Sequence, residues 1–175
     1  MAAGESMPKG ITVDCGEDIC IPERHVKFLD KDGKLHSDHG PALIIIDCDG
    51  PDLIFYGQTY PGVLELHYMK HGIYHRIGGP AIIKFGMLKT PREYYYFING
   101  KLHRKDGPAL MLLGSFGRDE YHIHGKLHRE DGPAVIEYGL CTKFRHDISS
   151  QKYYIDGKFV RDGGRCSIKK SHYKK

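Results

Sequence analysis

DEYHIHGKLHREDGPA, from Asp119 to Ala134, decides how this chain is read, because copies of its second half recur along the 175 residues. The core Gly125-Lys126-Leu127-His128-Arg129-Glu130-Asp131-Gly132-Pro133-Ala134 is nearly repeated at Gly100-Lys101-Leu102-His103-Arg104-Lys105-Asp106-Gly107-Pro108-Ala109. Two looser copies come earlier. Gly33-Lys34-Leu35-His36 leads into Gly40-Pro41-Ala42, and Gly72-Ile73-Tyr74-His75-Arg76 leads into Gly79-Pro80-Ala81, with the Gly-to-His and His-to-Gly spacings unchanged. A decayed fifth copy, Gly157 to Gly164, keeps its glycines but loses the histidine and the Pro-Ala. A fixed pattern recurring at intervals of this size is the mark of a repeat architecture, in which neighbouring units bury one another's apolar faces.

The residues around each copy read as strands and tight turns. Asp32-Gly33, Asn99-Gly100 and Asp156-Gly157 are strong two-residue hairpin signals, since both turn positions tolerate positive φ. His71-Gly72 and His124-Gly125 stand at the same place. Four residues before each turn glycine come Leu29, Tyr68, Tyr96, Tyr121 and Tyr153, and two after it Leu35, Tyr74, Leu102, Leu127 and Phe159. These columns should line one apolar face. Short aliphatic runs follow each Gly-Pro-Ala: Leu43 to Ile46, Ile82 to Phe85, Leu110 to Leu113 and Val135 to Tyr138. They are expected to be strands, with proline tolerated at the strand entrance. The fold class predicted is all-β: an elongated, twisted antiparallel sheet of about five hairpin units.

Three regions follow from composition. Residues 1–24 form an acidic lead-in without clear period, 25–164 the hairpin-repeat domain, and 165–175 a basic tail, opposite in charge to the start. The copies are unevenly spaced, and the longest insertion, 47–63, is expected to be a loop with a short strand from Leu53 to Tyr56. The formal charge of +4 allows an acidic partner without requiring one. Cys15, Cys20, Cys48, Cys141 and Cys166 are odd in number and irregular in spacing, which argues for free thiols in a reducing compartment. The N-terminus has no apolar stretch of signal-peptide length, and no segment approaches the roughly 20 apolar residues of a membrane helix. The expected location is intracellular, the cytoplasm of a host or a virion if the source is a virus.

The hairpins beginning with Tyr and carrying Gly-x-x-His followed by Gly, clearest at Tyr94 to Lys101 and Tyr121 to Lys126, resemble MORN repeats and their degenerate variants. Similar His-Arg-x-Asp-Gly-Pro-Ala copies occur in proteins of large DNA viruses, phages and bacteria. The resemblance covers about Val26 to Gly164. It departs after the histidine, where the usual glycine is replaced by Arg76, Arg104 and Arg129. It implies an open antiparallel sheet that serves as a scaffold or binding surface and often self-associates.

Among chemistry-bearing residues the histidine column, His36, His75, His103 and His128, comes first. Metal ligation needs ring nitrogens within about 2.1 Å of one ion. Equivalent histidines two strands apart are separated by roughly 10 Å, so they are not expected to share a metal. A metal between one of them and a turn histidine (His71, His122 or His124) stays open as an alternative. Pairs such as His103 with Asp106 and His128 with Asp131 could orient a general base. Repetition with drift instead suggests that they satisfy backbone groups at the Gly-Pro corner, a structural role shared with Gly100 and Gly125 in the turns. Arg76, Arg104, Arg129 and Arg161, with Lys34, Lys101, Lys126 and Lys158, make a basic register. It is either solvated edge charge or an anion-reading stripe, for which Arg76, Arg104, Arg129, Arg161, Lys101 and Lys126 are the candidates.

No nucleic-acid motif accompanies these residues, so a specific nucleic-acid partner is not expected. No cofactor and no resident metal is expected either. The functional expectation is a non-catalytic protein that binds a protein partner as a scaffold or assembly component, with homo-oligomers admitted by open sheet edges and oppositely charged ends. The alternative is a sequestering or inhibitor protein that takes an anionic ligand, or an acidic surface of a host factor, on its His/Arg face.

Overall fold

The computed structural model describes residues 12–15, 23–47, 52–55, 58–86, 90–114, 116–139 and 148–164. Cys20, Cys48, Cys141, Cys166 and the basic tail 165–175 lie outside the described residues, as does most of the acidic lead-in. Strands and turns make up everything described, without a helix. The protein is therefore all-β, and its strands pair antiparallel throughout.

The chain forms two compact units that divide between Lys101 and Leu102. In the first, the strands Thr12–Cys15, Glu23–Lys27, Leu43–Asp47, Val63–His67, Ile82–Phe85 and Pro91–Tyr95 pair in that order. In the second, Leu110–Leu112, Arg118–Glu120, Val135–Tyr138, Ile148–Ile155 and Lys158–Asp162 do the same. Part of the lead-in is thus ordered as a strand against the first hairpin's own strand. Each Gly-Pro-Ala run enters its sheet where expected, although Leu113 falls outside its strand and is 48% exposed.

The alanines of the four Gly-Pro-Ala corners explain why that residue recurs. Ala42, Ala81, Ala109 and Ala134 are all 0% exposed. Their amides donate to backbone carbonyls of the next strand, Ala42 to His67, Ala81 to Tyr95 and Ala109 to Glu120. Their carbonyls accept from the preceding strand, at Phe28 N–H for Ala42, Tyr68 N–H for Ala81 and Tyr121 N–H for Ala134. A side chain larger than methyl would have to displace close-packed neighbours on both sides. In the first unit Val26, Phe28, Ile44, Ile46, Val63, Leu66, Tyr68 and Ala81 form the core, with Tyr74, Ile83, Phe85 and Phe97 packed on it.

Four turns have the expected two-residue form. His71, Asn99, His124 and Asp156 have φ of 50–52°, each followed by a glycine with φ between 73° and 83°. This double left-handed conformation matches the twist of the flanking strands, and glycine is needed at its second position. The first turn differs from its expectation. Asp32 does not adopt positive φ, and only Gly33 does, at 74°. Leu29 bridges Leu35, and the Asp30 amide donates to the Lys34 carbonyl, so three residues, not two, form the loop. Asp30 Oδ1 holds this longer loop by accepting from the amides of Asp32 and Lys34, each at 2.9 Å. The extra residue shifts the apolar column by one: Phe28, not Leu29, occupies the place of Tyr68, donating to Ala42 and accepting from His36.

The 47–63 insertion contains more structure than a single strand. Asp52–Phe55 pairs with Gln58–Pro61 as a separate hairpin, with Leu53 opposite Tyr60.

Candidate functional site: hairpin tips and Gly-Pro corners

Each recurring histidine reaches to the next hairpin. The Nδ1 of His36 accepts from the His71 amide (3.2 Å), that of His75 from Asn99 (3.2 Å), that of His103 from His124 (3.1 Å) and that of His128 from Asp156 (3.2 Å). The donor in every case is the left-handed turn residue, whose amide faces away from its own hairpin. The glycine amide that follows is held by the carbonyl just before the histidine: Gly72 by Leu35, Gly100 by Tyr74, Gly125 by Leu102 and Gly157 by Leu127. Both turn amides are therefore satisfied by the preceding hairpin. Where the turn residue is itself a histidine the rings also meet, with centroids 4.2 Å apart for His36 and His71 and 4.5 Å for His103 and His124.

Arginine, rather than the His128 and Asp131 or His103 and Asp106 expected there, meets the backbone carbonyls of the corners, while the two histidines satisfy amides of the next turn. The guanidinium Nη1 groups of Arg76, Arg104 and Arg129 donate to the carbonyls of Pro80, Pro108 and Pro133 at 3.0, 3.2 and 3.4 Å. Asp131 accepts from Arg129 Nε at 2.8 Å, and that arginine holds its carboxyl below the usual range. Asp106 is exposed at its corner. Two of these guanidinium groups, and that of Arg161, also cover tyrosine faces. The Cζ of Arg76, Arg129 and Arg161 lies 3.7, 4.0 and 3.6 Å from the ring centroids of Tyr68, Tyr121 and Tyr153. The corner glycine completes this stack, since a Cβ at Gly79, Gly107 or Gly132 would meet the arginine Cζ at 3.0–3.1 Å. Arg76, Arg104 and Arg129 thereby each commit one donor to a corner carbonyl of their own hairpin. Lys34, Lys101, Lys126 and Lys158 are exposed at the tips, and a Cβ on Gly72 or Gly157 would rest against the stem of Lys34 or Lys126.

Several sequence-selected residues do converge. In the second unit Arg104, Asp106, His128, Arg129 and Asp131 line an open depression of about 660 Å³ together with Lys105, Tyr121 and Glu130. Its charges are mixed, three carboxylates against three fixed cations, so it has no strong preference for an anion.

Two buried histidines were outside the columns. His67, 7% exposed, donates through Nε2 to Glu65 (2.9 Å), while its Nδ1 accepts from the Tyr74 hydroxyl at 3.2 Å. Burial pushes its pKa down, against the opposing pull of Glu65, which favours the neutral ring that this tautomer requires. His122, 8% exposed, donates to Glu120 at 2.8 Å. Glu120 also receives Arg118, which bridges to Glu137 at 3.1 Å. The hydrogen bond from His122 is the largest influence holding the Glu120 carboxyl below its usual range. The His122 Nδ1 is buried and has no hydrogen-bond partner among the described residues. Alternating polar residues on Glu65-Leu66-His67 and Glu120-Tyr121-His122 were the available signal for these pairs.

At the first tip, Asp30, His36 and His71 come together. Asp30 Oδ2 lies 2.7 Å from His71 Nδ1, and one ligand atom from each of the three residues lies within 4.8 Å of the others. The Asp30 side chain is 8% exposed and that of His71 is 65% exposed. Hydrogen bonding, first from His71 and then from the Lys34 amide, lowers the Asp30 pKa to about 2. Of the three turn histidines considered beside the column, His71 meets a column histidine and a carboxylate and His124 meets the ring of His103. His122 pairs with Glu120, the last residue of the strand before its own.

The chain matches no family model, and no similarity to a curated protein or to a solved structure is found. No helix among the described residues is long and apolar enough to cross a membrane.

Proposed function

We propose that this chain is a non-catalytic hairpin-repeat protein, MORN-like in organisation, that binds a protein partner as a scaffold or assembly component inside a cell or virion. The observation that carries the reading is the engagement of the recurring histidines and arginines in hydrogen bonds to backbone groups of their own and adjoining hairpins. A catalytic base repeated four times and capped each time by a backbone amide has no free lone pair on that nitrogen for substrate. What varies between copies is the exposed apolar set. Phe116 is 74% exposed, Ile77 82%, and Phe159 and Val160 in the last strand 54% and 55%. Side chains of this kind supply area for a protein interface.

The test is capture of the tagged full chain with its partner from the native source, repeated with Phe159→Asp/Val160→Asp and with Phe116→Asp after their melting curves have been matched to the parent. A partner recovered in stoichiometric amount and lost with one folded variant supports the reading. Recovery of the chain with a stoichiometric small anion and no protein, read by native mass spectrometry, would replace it with ligand sequestration.

A further inference from the structure

Beyond the binding role, we infer that Asp30, His36 and His71 form a binding site for one divalent transition-metal ion, with a carboxylate oxygen and two imidazole nitrogens as ligands. The inference starts from what differs among hairpins that are otherwise built alike. Every recurring histidine meets the turn residue of the following hairpin, and at the first tip a lengthened loop adds a carboxylate beside two histidines, the group of this kind found among the described residues. That lengthening places Asp30 beneath the histidine pair, and two amides fix Oδ1, leaving Oδ2 directed at His71 Nδ1. His36 Nδ1 accepts from the His71 amide at 3.2 Å and its Nε2 faces the Asp38 carboxylate at 3.4 Å, so an ion taken at Nδ1 replaces that amide as the partner of the lone pair. A carboxylate on the far nitrogen of a ligating imidazole is the usual means of fixing its tautomer and orientation. At the His103 and His124 pair the rings approach similarly, yet no carboxylate completes a comparable group among the described residues.

Two imidazoles and one carboxylate suit zinc, cobalt, nickel or copper better than magnesium or calcium, which prefer all-oxygen sets. Bonds of about 2.0–2.1 Å bring tetrahedral ligand atoms to about 3.4 Å from one another. The three ligand atoms lie within 4.8 Å of one another, and the His71 side chain, 65% exposed, is open to an arriving ion. Three protein ligands leave the remaining position to water.

The experiment is titration of the full chain with Zn²⁺ by calorimetry and with Co²⁺ by visible absorption, in which nitrogen and oxygen ligation is distinguished from thiolate ligation by the absence of sulfur charge-transfer bands. His71→Asn places at the first of these turns the residue that Asn99 supplies in its own turn, and Asp30→Asn keeps an oxygen for the Asp32 and Lys34 amides while removing the charge. His124→Asn is the control. About one Zn²⁺ equivalent should be weakened at least on the order of tenfold by His71→Asn and by Asp30→Asn, and be unchanged by His124→Asn. Equal binding by all four proteins, loss of the same equivalent in His124→Asn, or a Co²⁺ spectrum dominated by thiolate would overturn the assignment. So would the absence of any Zn²⁺ binding by the folded parent.

Discussion

Removing the imidazole of His128 tests whether the histidines hold the hairpins together. In His128→Ala the Asp156 amide loses the acceptor now 3.2 Å away. A net intramolecular hydrogen bond contributes about 1 kcal/mol. The ring is 19% exposed, so its lost packing adds about 1 kcal/mol more. A total of about 2 kcal/mol corresponds to a fall in Tm of roughly 4–8 °C for a chain of 175 residues. Circular dichroism melts measure the total, and amide hydrogen exchange localises it: the Asp156 and Gly157 amides should lose protection first, before those in the strand Val135–Tyr138. A Tm within about 2 °C of the parent, with the Asp156 amide still protected, would refute the reasoning. Unchanged stability together with loss of partner binding would instead make His128 a recognition residue.

Arg129→Ala should cost about 1–2 kcal/mol, because it removes the cover on Tyr121 and the donor to Pro133. Gly132→Ala should cost about 1 kcal/mol in the parent, where the new Cβ meets Arg129 Cζ at 3.0 Å, but close to nothing in the Arg129→Ala background. Additive losses in that double-mutant cycle would separate the two residues. For Asp30 the folded pKa, about 2, lies below the ordinary carboxyl value of 3.8. Its contribution is therefore complete above about 3.8 and disappears as pH falls through about 2, and urea titrations across that window should show an acid loss that Asp30→Asn lacks. The pKa of His103 is lowered chiefly by burial and then by His124 and Lys105. The unfolded chain consequently takes the proton first, so the bond to His124 stabilises fully above the unfolded pKa and is lost as pH falls. NMR should show protection of the His124 amide decreasing in acid, and a pH-independent amide would contradict this.

Strand positions and most turn types were legible because their causes are local. Asn99-Gly100 and Asp156-Gly157 turn as their φ preferences require, and each Gly-Pro-Ala opens a strand. The first turn was misread because Asp32-Gly33 carries the same dipeptide signal, whereas the outcome depends on a side chain two residues earlier, Asp30, bonding back to the loop. Pairing of Asp52–Phe55 with Gln58–Pro61 was missed because Tyr60-Pro61-Gly62 looks like punctuation rather than a strand end. The Arg-on-Tyr stacks could have been found, since Tyr68 and Arg76, Tyr121 and Arg129, and Tyr153 and Arg161 keep one spacing across their hairpins.

The sequence by itself determined the all-β class and four of the hairpin turns, since these follow from φ preferences and alternation within a few consecutive residues. Only the tertiary structure decided what the histidines do. Their partners lie 35, 24, 21 and 28 residues downstream, a separation that changes with every insertion, whereas a carboxylate three residues away is visible in two copies of the motif. Antiparallel pairing fixes the place of the next turn in space whatever the length of chain between, and so the histidine of one hairpin meets an amide of the next. The same pairing brings His71 and His36 beside Asp30, a group assembled across the sheet and invisible along the chain.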